Sequence, residues 1–233
     1  MRRTKAEAEA TRRQIIGAAE RIFFEKGVSN ATMQDVARAA GVTRGAIYWH
    51  FANKTAIFLE LYKSVPLPQE DMVARELESD DADVLAVVEW AAADWLHTLA
   101  GDEQRQRILT ILLRCDYSGE FAPVLEKQQQ VDDEHMCKLE RAFTRAAAKG
   151  QLSACWTPKS ASSALRWMMK GLCSEWLLYG RRFDLAGEGR EGLRRLVESL
   201  RGADVSSSAT RRRGEFPESC QRFGADRLSS ESG

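Results

Sequence analysis

The sequence lacks the long apolar segments and the charge excess that mark two large classes of protein. No run approaches the roughly 20 apolar residues that a membrane-spanning helix needs, and the charged amino terminus carries no apolar signal segment. The 34 lysines and arginines balance 34 aspartates and glutamates, so the overall charge favours no particular partner. We therefore expect no membrane partner, and any functional charge must be local.

Cysteine pairs and catalytic motifs are absent as well. The five cysteines are odd in number and scattered, without a Cys-x-x-Cys pair, which favours a reduced, cytoplasmic setting. No nucleophile elbow, HExxH motif or P-loop occurs, and His135 and Cys137, two residues apart on a predicted helix, point away from each other. Residues 187–192 fit a GxGxxG pattern, but no strand precedes them, so we interpret them as a turn. The sequence predicts neither an enzyme nor a metal or cofactor site.

Strand-like alternation and proline are scarce, with 5 prolines in 233 residues and no alternating run longer than a few residues. Apolar residues recur instead every three or four positions, which is the spacing of an amphipathic helix. The pattern predicts helices over about residues 11–27, 32–40, 43–50, 53–64, 83–100, 102–114, 121–149 and 157–179, and a last helix that stops at Gly202. Thr32, Thr43 and Asn53 are the expected amino-terminal caps of the second to fourth helices. The predicted fold class is therefore all-α.

The chain divides into three predicted segments. Two short helices joined through Gly41, with a longer helix on each side, form a helix-turn-helix unit. Residues 65–68 contain two prolines that break or kink the fourth helix, so this stretch is the candidate domain junction. We predict a helix-turn-helix domain over residues 1–63 and a helical domain over residues 64–202. Residues 203–233 have too few apolar side chains to offset the entropy of ordering, so we predict a disordered tail.

The predicted third helix has two different faces. Ala46 and Ile47 form a small apolar arc that packs the helix on its neighbours, with His50 at its end. The opposite arc is cationic and aromatic and includes a glycine, and it contains Arg44, Gly45, Tyr48 and Trp49. A DNA major groove roughly 12 Å wide admits such a helix, and residues 1–63 are basic, with eleven Lys/Arg against six Asp/Glu. The alternative is a surface helix whose aromatic residues pack against a neighbouring helix.

Residues 11–61 resemble the DNA-binding domain of the TetR/AcrR family of bacterial transcriptional regulators. The matching positions, at fixed spacing, are Gly27, Thr32, Ala37, Ala40, Gly41, Val42, Thr43, Gly45, Ile47, Tyr48, His50, Phe51 and Lys54. The resemblance implies that the second helix supports the third, which binds in the major groove of double-stranded DNA, and that a homodimer binds a palindromic operator. The DNA contacts that it implies are Thr32, Gln34, Thr43, Arg44, Gly45, Tyr48, Trp49, His50 and Lys54.

The remaining chain is similar, less specifically, to the regulatory domain of the repressors of RND-type multidrug pumps in that family. The stretch "ILLRCDYSGEFAPVLEKQQQ" carries part of this similarity. It implies a cavity for a small apolar or cationic inducer, although most large apolar residues of a helical bundle are simply core. The candidate lining residues are Trp90, Trp95, Ile111, Phe121, Met136, Trp167, Met168 and Trp176. The candidate polar members are His97, Asp116 and Glu134.

The predicted helix over residues 157–179 is apolar on more than one face, which indicates a partner surface. Paired with the last helix, it would form the four-helix dimer interface that the resemblance implies. The candidate interface residues are Leu165, Met169, Leu172, Leu193, Leu196, Val197 and Leu200.

These features together predict a ligand-responsive transcriptional repressor, and the resemblance favours a multidrug efflux operon and a role in antibiotic resistance. The inducer would act by moving the fourth helix, which changes the spacing of the two DNA-binding helices in the dimer. A transcriptional activator, or a regulator of a metabolic operon with the same fold, remains the alternative. A helical binding protein or enzyme with a coincidental helix-turn-helix is a third, and it would lack sequence-selective, salt-sensitive DNA binding.

Overall fold

The computed structural model describes residues 4–64 and 83–202, which form nine α-helices and no strand. The helices are α1 (Lys5–Lys26), α2 (Met33–Ala39), α3 (Arg44–His50), α4 (Lys54–Lys63), α5 (Val84–Gly101), α6 (Glu103–Arg114), α7 (Ala122–Ala148), α8 (Pro158–Leu178) and α9 (Arg190–Leu200). A 3-10 turn over Gly119–Phe121 precedes α7, and a π-helical turn over Leu185–Gly189 precedes α9. The all-α prediction is confirmed. The predicted junction at residues 65–68 and the predicted tail lie outside the described residues.

Local side-chain caps explain why most helix starts could be predicted. Thr32 and Asp35 form a reciprocal capping box at α2, and the hydroxyl of Thr43 accepts the amide of Ala46 at 3.2 Å. Asn53 caps α4 in the same way. The start of α1 was predicted too late, because Thr4 caps a helix that begins at Lys5. These first six residues alternate charged side chains with alanine and carry no helical apolar periodicity, so only the cap marks them.

The helix-turn-helix and the following helices share one hydrophobic core. Ile15 and Phe23 of α1 pack with Ile47 of α3 and Phe58 of α4 in a cluster that also contains Ile111 of α6. The rings of Phe58 and Phe121 lie 5.6 Å apart, centroid to centroid. The buried carboxylate of Glu20 in α1 accepts hydrogen bonds from Arg107 at 2.7 Å and from Gln104 at 2.9 Å, both in α6. The helices that position α3 therefore rest directly on α6 and on the start of α7.

The carboxy-terminal helices form two further clusters. One contains Phe143 of α7 together with residues of α5, α8 and α9, and the other contains Leu96 of α5 and Trp176 of α8. The segment with the GxGxxG pattern forms the π-helical turn and the first turn of α9. No helix within residues 4–64 and 83–202 is long and apolar enough to cross a membrane.

Four of the seven expected dimer contacts belong to the core of the protomer itself. The side chains of Leu165, Leu193, Val197 and Leu200 are at most 4% exposed, so they have almost no area to offer a partner. The apolar stripe of α9 faces α5 and α8 because that is where the core lies, and its outer face carries an ion-paired cluster of arginines and glutamates. Sequence periodicity revealed the stripe but not which surface covers it.

Candidate DNA-binding surface

The third helix presents the two faces that its sequence predicts. The side chains of Ile47 and Phe51 are 0% and 3% exposed and hold α3 on the core, whereas Tyr48 and Trp49 are 46% and 73% exposed. Arg44 and Gly45 are exposed beside them. An indole that is almost three-quarters exposed does not pack against a neighbouring helix, so the structure removes that alternative for Trp49.

The exposed side chains of α3 interact with one another. The guanidinium of Arg44 lies 5.9 Å from the ring centre of Tyr48, and the ring of Trp49 meets that of His50 edge to face, with 4.5 Å between centroids. Contacts of this kind limit the rotamers of long side chains before any partner arrives. The result is a preformed, exposed surface that combines the guanidinium of Arg44 with aromatic rings.

Gly45 leaves an opening in this surface that folding does not require. A Cβ built on Gly45 meets no atom within 4 Å, and Gly45 is not among the glycines with positive φ. Glycine costs helix stability relative to alanine, by about 1 kcal/mol in a helix interior. A glycine at an exposed helical position leaves room for close approach of a partner to the backbone.

The second helix adds two of the expected contacts at its amino-terminal end. The hydroxyl of Thr32 accepts the amide of Asp35 at 3.0 Å and donates to the Asp35 carboxylate at 2.7 Å, so its side chain is already used as a cap. The hydrogen bond from Thr32, and next that from Lys26, lower the pKa of Asp35 to about 2. Gln34 is exposed two positions beyond the cap residue Thr32. The ion pair of Asp35 with Lys26, at 3.1 Å, ties this start of α2 to the end of α1.

Lys54, another expected DNA contact, is directed inward in this structure. Its side chain is only 12% exposed, and its Nζ donates to the carbonyls of Val28 at 2.9 Å and Ser29 at 3.3 Å. The same nitrogen lies 3.2 Å from the carboxylate of Glu120. Lys54 therefore does not join the exposed group around Trp49 in the DNA-free protein.

Three side chains that sequence reasoning missed hold the surface in place. The guanidinium of Arg12 lies 4.9 Å from the ring centre of Phe51 and 2.8 Å from the carboxylate of Glu60, which ties α1 to the end of α3 and to α4. These ion pairs with Arg12, and next with Lys63, lower the pKa of Glu60. Gln14 donates to the carbonyl of Ala40 at 2.8 Å and so links α1 to the turn between α2 and α3. No short motif marks such contacts, because the partners are 26 or more residues apart.

The eight candidate pocket residues do not meet in one place. Trp90 and Trp167 are 46% and 69% exposed, and Ile111 and Phe121 belong to the core under the helix-turn-helix. The other four lie elsewhere: Trp95 and Trp176 pack in the cluster around Leu96, Met168 packs in the cluster around Phe143, and Met136 is half-buried on α7. Two of the three candidate polar members, His97 and Asp116, are exposed.

Two polar features do lie in the carboxy-terminal part. A shallow groove on α7 is lined mainly by charged and amide side chains, among them Glu134, the third candidate polar member. Gln106 of α6 is 2% exposed, and its amide nitrogen donates to the carbonyls of Leu99 and Ala100 at 2.8 and 2.9 Å. Its buried Oε1 accepts no hydrogen bond within the described part of the chain. Gln106 was not singled out from the sequence, because a lone glutamine in an amphipathic helix gives no signal.

Two family models match most of the chain. The model for bacterial regulatory proteins of the tetR family matches residues 15–61, and the model for the carboxy-terminal region of MAATS-type transcriptional repressors matches residues 85–201. The chain is similar to the HTH-type transcriptional repressor BepR of Brucella suis, with 36% identity over 86% of this chain and 97% of that protein.

Two solved structures are similar over most of their length. One is NalD, the secondary repressor of the MexAB-OprM multidrug efflux pump in Pseudomonas aeruginosa, with 36% identity, a TM-score of 0.76 and coverage of 83% of this chain and 98% of that one. The other is a complex of SmeT with triclosan, with 30% identity, a TM-score of 0.73 and coverage of 90% and 100%. SmeT is the repressor of the Stenotrophomonas maltophilia multidrug efflux pump SmeDEF.

Proposed function

Because the chain belongs to the TetR family of bacterial regulatory proteins, we propose that it is a ligand-responsive repressor of a multidrug efflux operon. It binds a palindromic operator in the bacterial cytoplasm as a homodimer and leaves it when a small apolar or cationic molecule binds. The observation that carries the DNA-binding part is the exposed surface around Gly45 and Trp49. The efflux part is supported by NalD and SmeT, which are repressors of multidrug efflux pumps and are similar to this chain over most of its length.

The chemistry of the α3 surface fits a DNA major groove. Arg44 supplies the paired donors that recognise guanine acceptors or a phosphate, and Tyr48 donates to phosphate or contacts a thymine methyl group. The amides at the start of α3, next to Thr43, favour an anion because of their partial positive charge. We expect Thr32, Gln34 and His50, which flank this surface, to contact the phosphate backbone of the DNA. A two-fold dimer would place two such helices about one turn of DNA apart, roughly 34–36 Å or somewhat more.

We assign dimerisation to the outer face of α8, supported by α9. Trp167, a large apolar group that is 69% exposed, marks this face, and Gly171 is exposed one turn further on. Met169, Leu172 and Leu196 are partly exposed at the margins of the core clusters, away from Trp167. Aromatic residues of this kind dominate the centres of protein interfaces. The buried leucines and Val197 then stiffen the interface from beneath rather than contact the partner.

We place inducer binding in the predicted second domain, over residues 64–202. The ligand can shift the equilibrium only if it binds the form with low operator affinity more tightly. Because α1 and α4 contact α6 directly in one shared core, a change in the packing of α6 around the ligand would reorient the α3 surface.

A reporter under the promoter upstream of the protein's own gene, or of a neighbouring pump operon, tests this proposal. We expect the protein to lower reporter expression, and apolar or cationic antibiotics from a panel to restore it in parallel with release of the promoter fragment in gel shifts. Increased expression on adding the protein would instead support an activator. Binding that no compound of the panel weakens would contradict the efflux role.

A further inference from the structure

Lys54 uses all of its hydrogen-bonding capacity inside the protein. A lysine ammonium has three donors and no acceptor. Its three oxygen partners here are the carbonyls of Val28 and Ser29 and the carboxylate of Glu120, at 2.9, 3.3 and 3.2 Å. A phosphate that approaches Lys54 must therefore displace one of these three acceptors.

Glu120 is the acceptor that is easiest to displace. The two carbonyls belong to the backbone between α1 and α2 and are fixed by the fold, whereas the Glu120 side chain is 53% exposed and can rotate into water. Its negative charge would also repel a phosphate at Lys54. Lys54 follows the last residue of α3, His50, by only four residues, so it is close in the chain to the helix that we assign to the groove.

We propose that Glu120 is a positioning residue for DNA binding, which withholds Lys54 in the free protein and yields it to an operator phosphate. This inference rests on the proposed binding of α3 to DNA. It adds an intramolecular competitor: the same ammonium binds either the carboxylate or the phosphate. Operator affinity then depends on how firmly Glu120 is held beside Lys54.

The position of Glu120 is set by the helices around it. Its backbone carbonyl accepts the hydroxyl of Thr55 at 3.0 Å, and the ring of the next residue, Phe121, packs on Phe58 of α4. The same 3-10 turn continues directly into α7. Any rearrangement that moves the start of α7 relative to α4 therefore changes the hold of Glu120 on Lys54. This gives the helical part of the chain an electrostatic means of tuning operator affinity, in addition to helix rotation.

The test compares Glu120→Gln with Glu126→Gln on the full chain. The probe is an operator duplex that the wild-type protein selects from a random-sequence pool, and affinity is measured by fluorescence anisotropy. Exposed ion pairs are worth little, so we expect Glu120→Gln to bind about two- to fivefold more tightly than wild type. Glu126 is an exposed α7 residue that forms no ion pair with Lys54. Glu126→Gln removes the same charge as Glu120→Gln, so it should change operator affinity less.

A Lys54→Gln background separates competition from a structural effect. There Glu120→Gln should have no more effect than Glu126→Gln, and the Lys54→Gln substitution itself should lower the salt dependence of binding by the contribution of about one phosphate contact. Equal effects of the two glutamate substitutions, or a Glu120→Gln effect that persists without Lys54, would overturn the inference and leave the proposed function intact. A wild-type protein that selects no operator would overturn the proposed function itself, and the inference with it.

Discussion

The α3 and α8 helices expose the same pair of residue types to solvent in different surroundings. Trp49 and Gly45 lie four residues apart on α3, and Trp167 and Gly171 lie four residues apart on α8. Both indoles are about 70% exposed, at 73% and 69%, and a Cβ on either glycine meets nothing within 4 Å. Exposure and local openness therefore do not distinguish the two surfaces.

The neighbouring side chains do distinguish them. Arg44, Tyr48 and His50 surround Trp49 with positive charge and hydrogen-bond donors, which suit a polyanion. On the helical turns next to Trp167, the face carries small residues such as Ala164 and Gly171, which suit a closely packed partner, and the nearby Lys170 is ion-paired with Asp132 of α7. The comparison supports DNA as the proposed partner of the first surface and a second copy of the chain as that of the other.

The largest effect is expected from removing either tryptophan. Trp167→Ala should raise the dissociation constant of the dimer about 30-fold or more, because an aromatic residue at an interface centre contributes about 2 kcal/mol or more. Sedimentation velocity over a dilution series measures this change. Unchanged dimerisation would remove α8 from the interface.

The reciprocal variant tests the other half of the comparison. Trp49→Ala should weaken operator binding in anisotropy titrations and leave dimerisation unchanged, because its side chain contributes little to the fold at 73% exposure. Two outcomes would contradict the distinction between the surfaces. One is a Trp49 variant that impairs dimerisation, and the other is a Trp167 variant that impairs operator binding at protein concentrations where it is fully dimeric.

An effect of similar size, on operator affinity, is expected from Arg44→Ala. One good contact to a base is worth about 1–3 kcal/mol, so operator affinity should fall roughly five- to 150-fold while binding to random DNA changes less. Gel shifts with operator and scrambled duplexes measure both. Arg21→Ala, an exposed α1 position, removes the same charge and is the matched control. Equal losses for the two arginines would mean that Arg44 acts only through overall charge.

The glycines sharpen the comparison further, since alanine fits at each of them. Gly45→Ala and Gly171→Ala should each leave thermal stability equal or slightly higher, by up to about 1 kcal/mol. The first should weaken only operator binding, and the second only dimerisation, each by about tenfold, the loss expected for one added methyl group that hinders close packing. Gly17→Ala in α1 also meets nothing within 4 Å and should affect neither. Unimpaired binding by Gly45→Ala would show that no partner approaches that backbone.

The smallest effect concerns the cap that supports α3 through α2. Asp35 has its pKa lowered from 3.8 to about 2 in the folded protein by Thr32 and Lys26, so its charged form stabilises the fold above pH 3.8. That contribution diminishes as the pH falls below 3.8 and is lost only below about 2. The difference between the melting temperatures of wild type and Asp35→Asn should therefore be constant above about pH 5 and shrink steadily as the pH falls from about 4 to about 2. A difference that stays constant over that range would contradict the assigned cause.

The local parts of this structure could be predicted from the sequence, and the distant contacts could not. Thr32, Thr43 and Asn53 cap helices through atoms three residues away, so their residue types suffice. The acceptors of Lys54 are 25 to 66 residues away, and nothing near Lys54 indicates them. The same reason explains why the pairing of the buried Glu20 with Arg107 was not predicted.

Apolar composition was the least informative signal. Helical spacing identified the stripe of α9, but that stripe covers the core rather than a partner. The tryptophans expected in a pocket divide between the core, as Trp176 does, and the surface, as Trp90 and Trp167 do. Large apolar side chains are suited equally to a core, a cavity and an interface, so the fold decides among these roles.

Fluorine NMR of protein labelled with 5-fluorotryptophan tests the central claim most directly, because it reports on both exposed indoles in one sample. With resonances assigned through Trp→Phe variants, we predict that operator DNA shifts or broadens the Trp49 signal and leaves that of Trp167 unchanged. Dilution from dimer to monomer should do the reverse. A Trp49 signal unaffected by saturating operator, or a Trp167 signal that responds to DNA as strongly, would contradict the account.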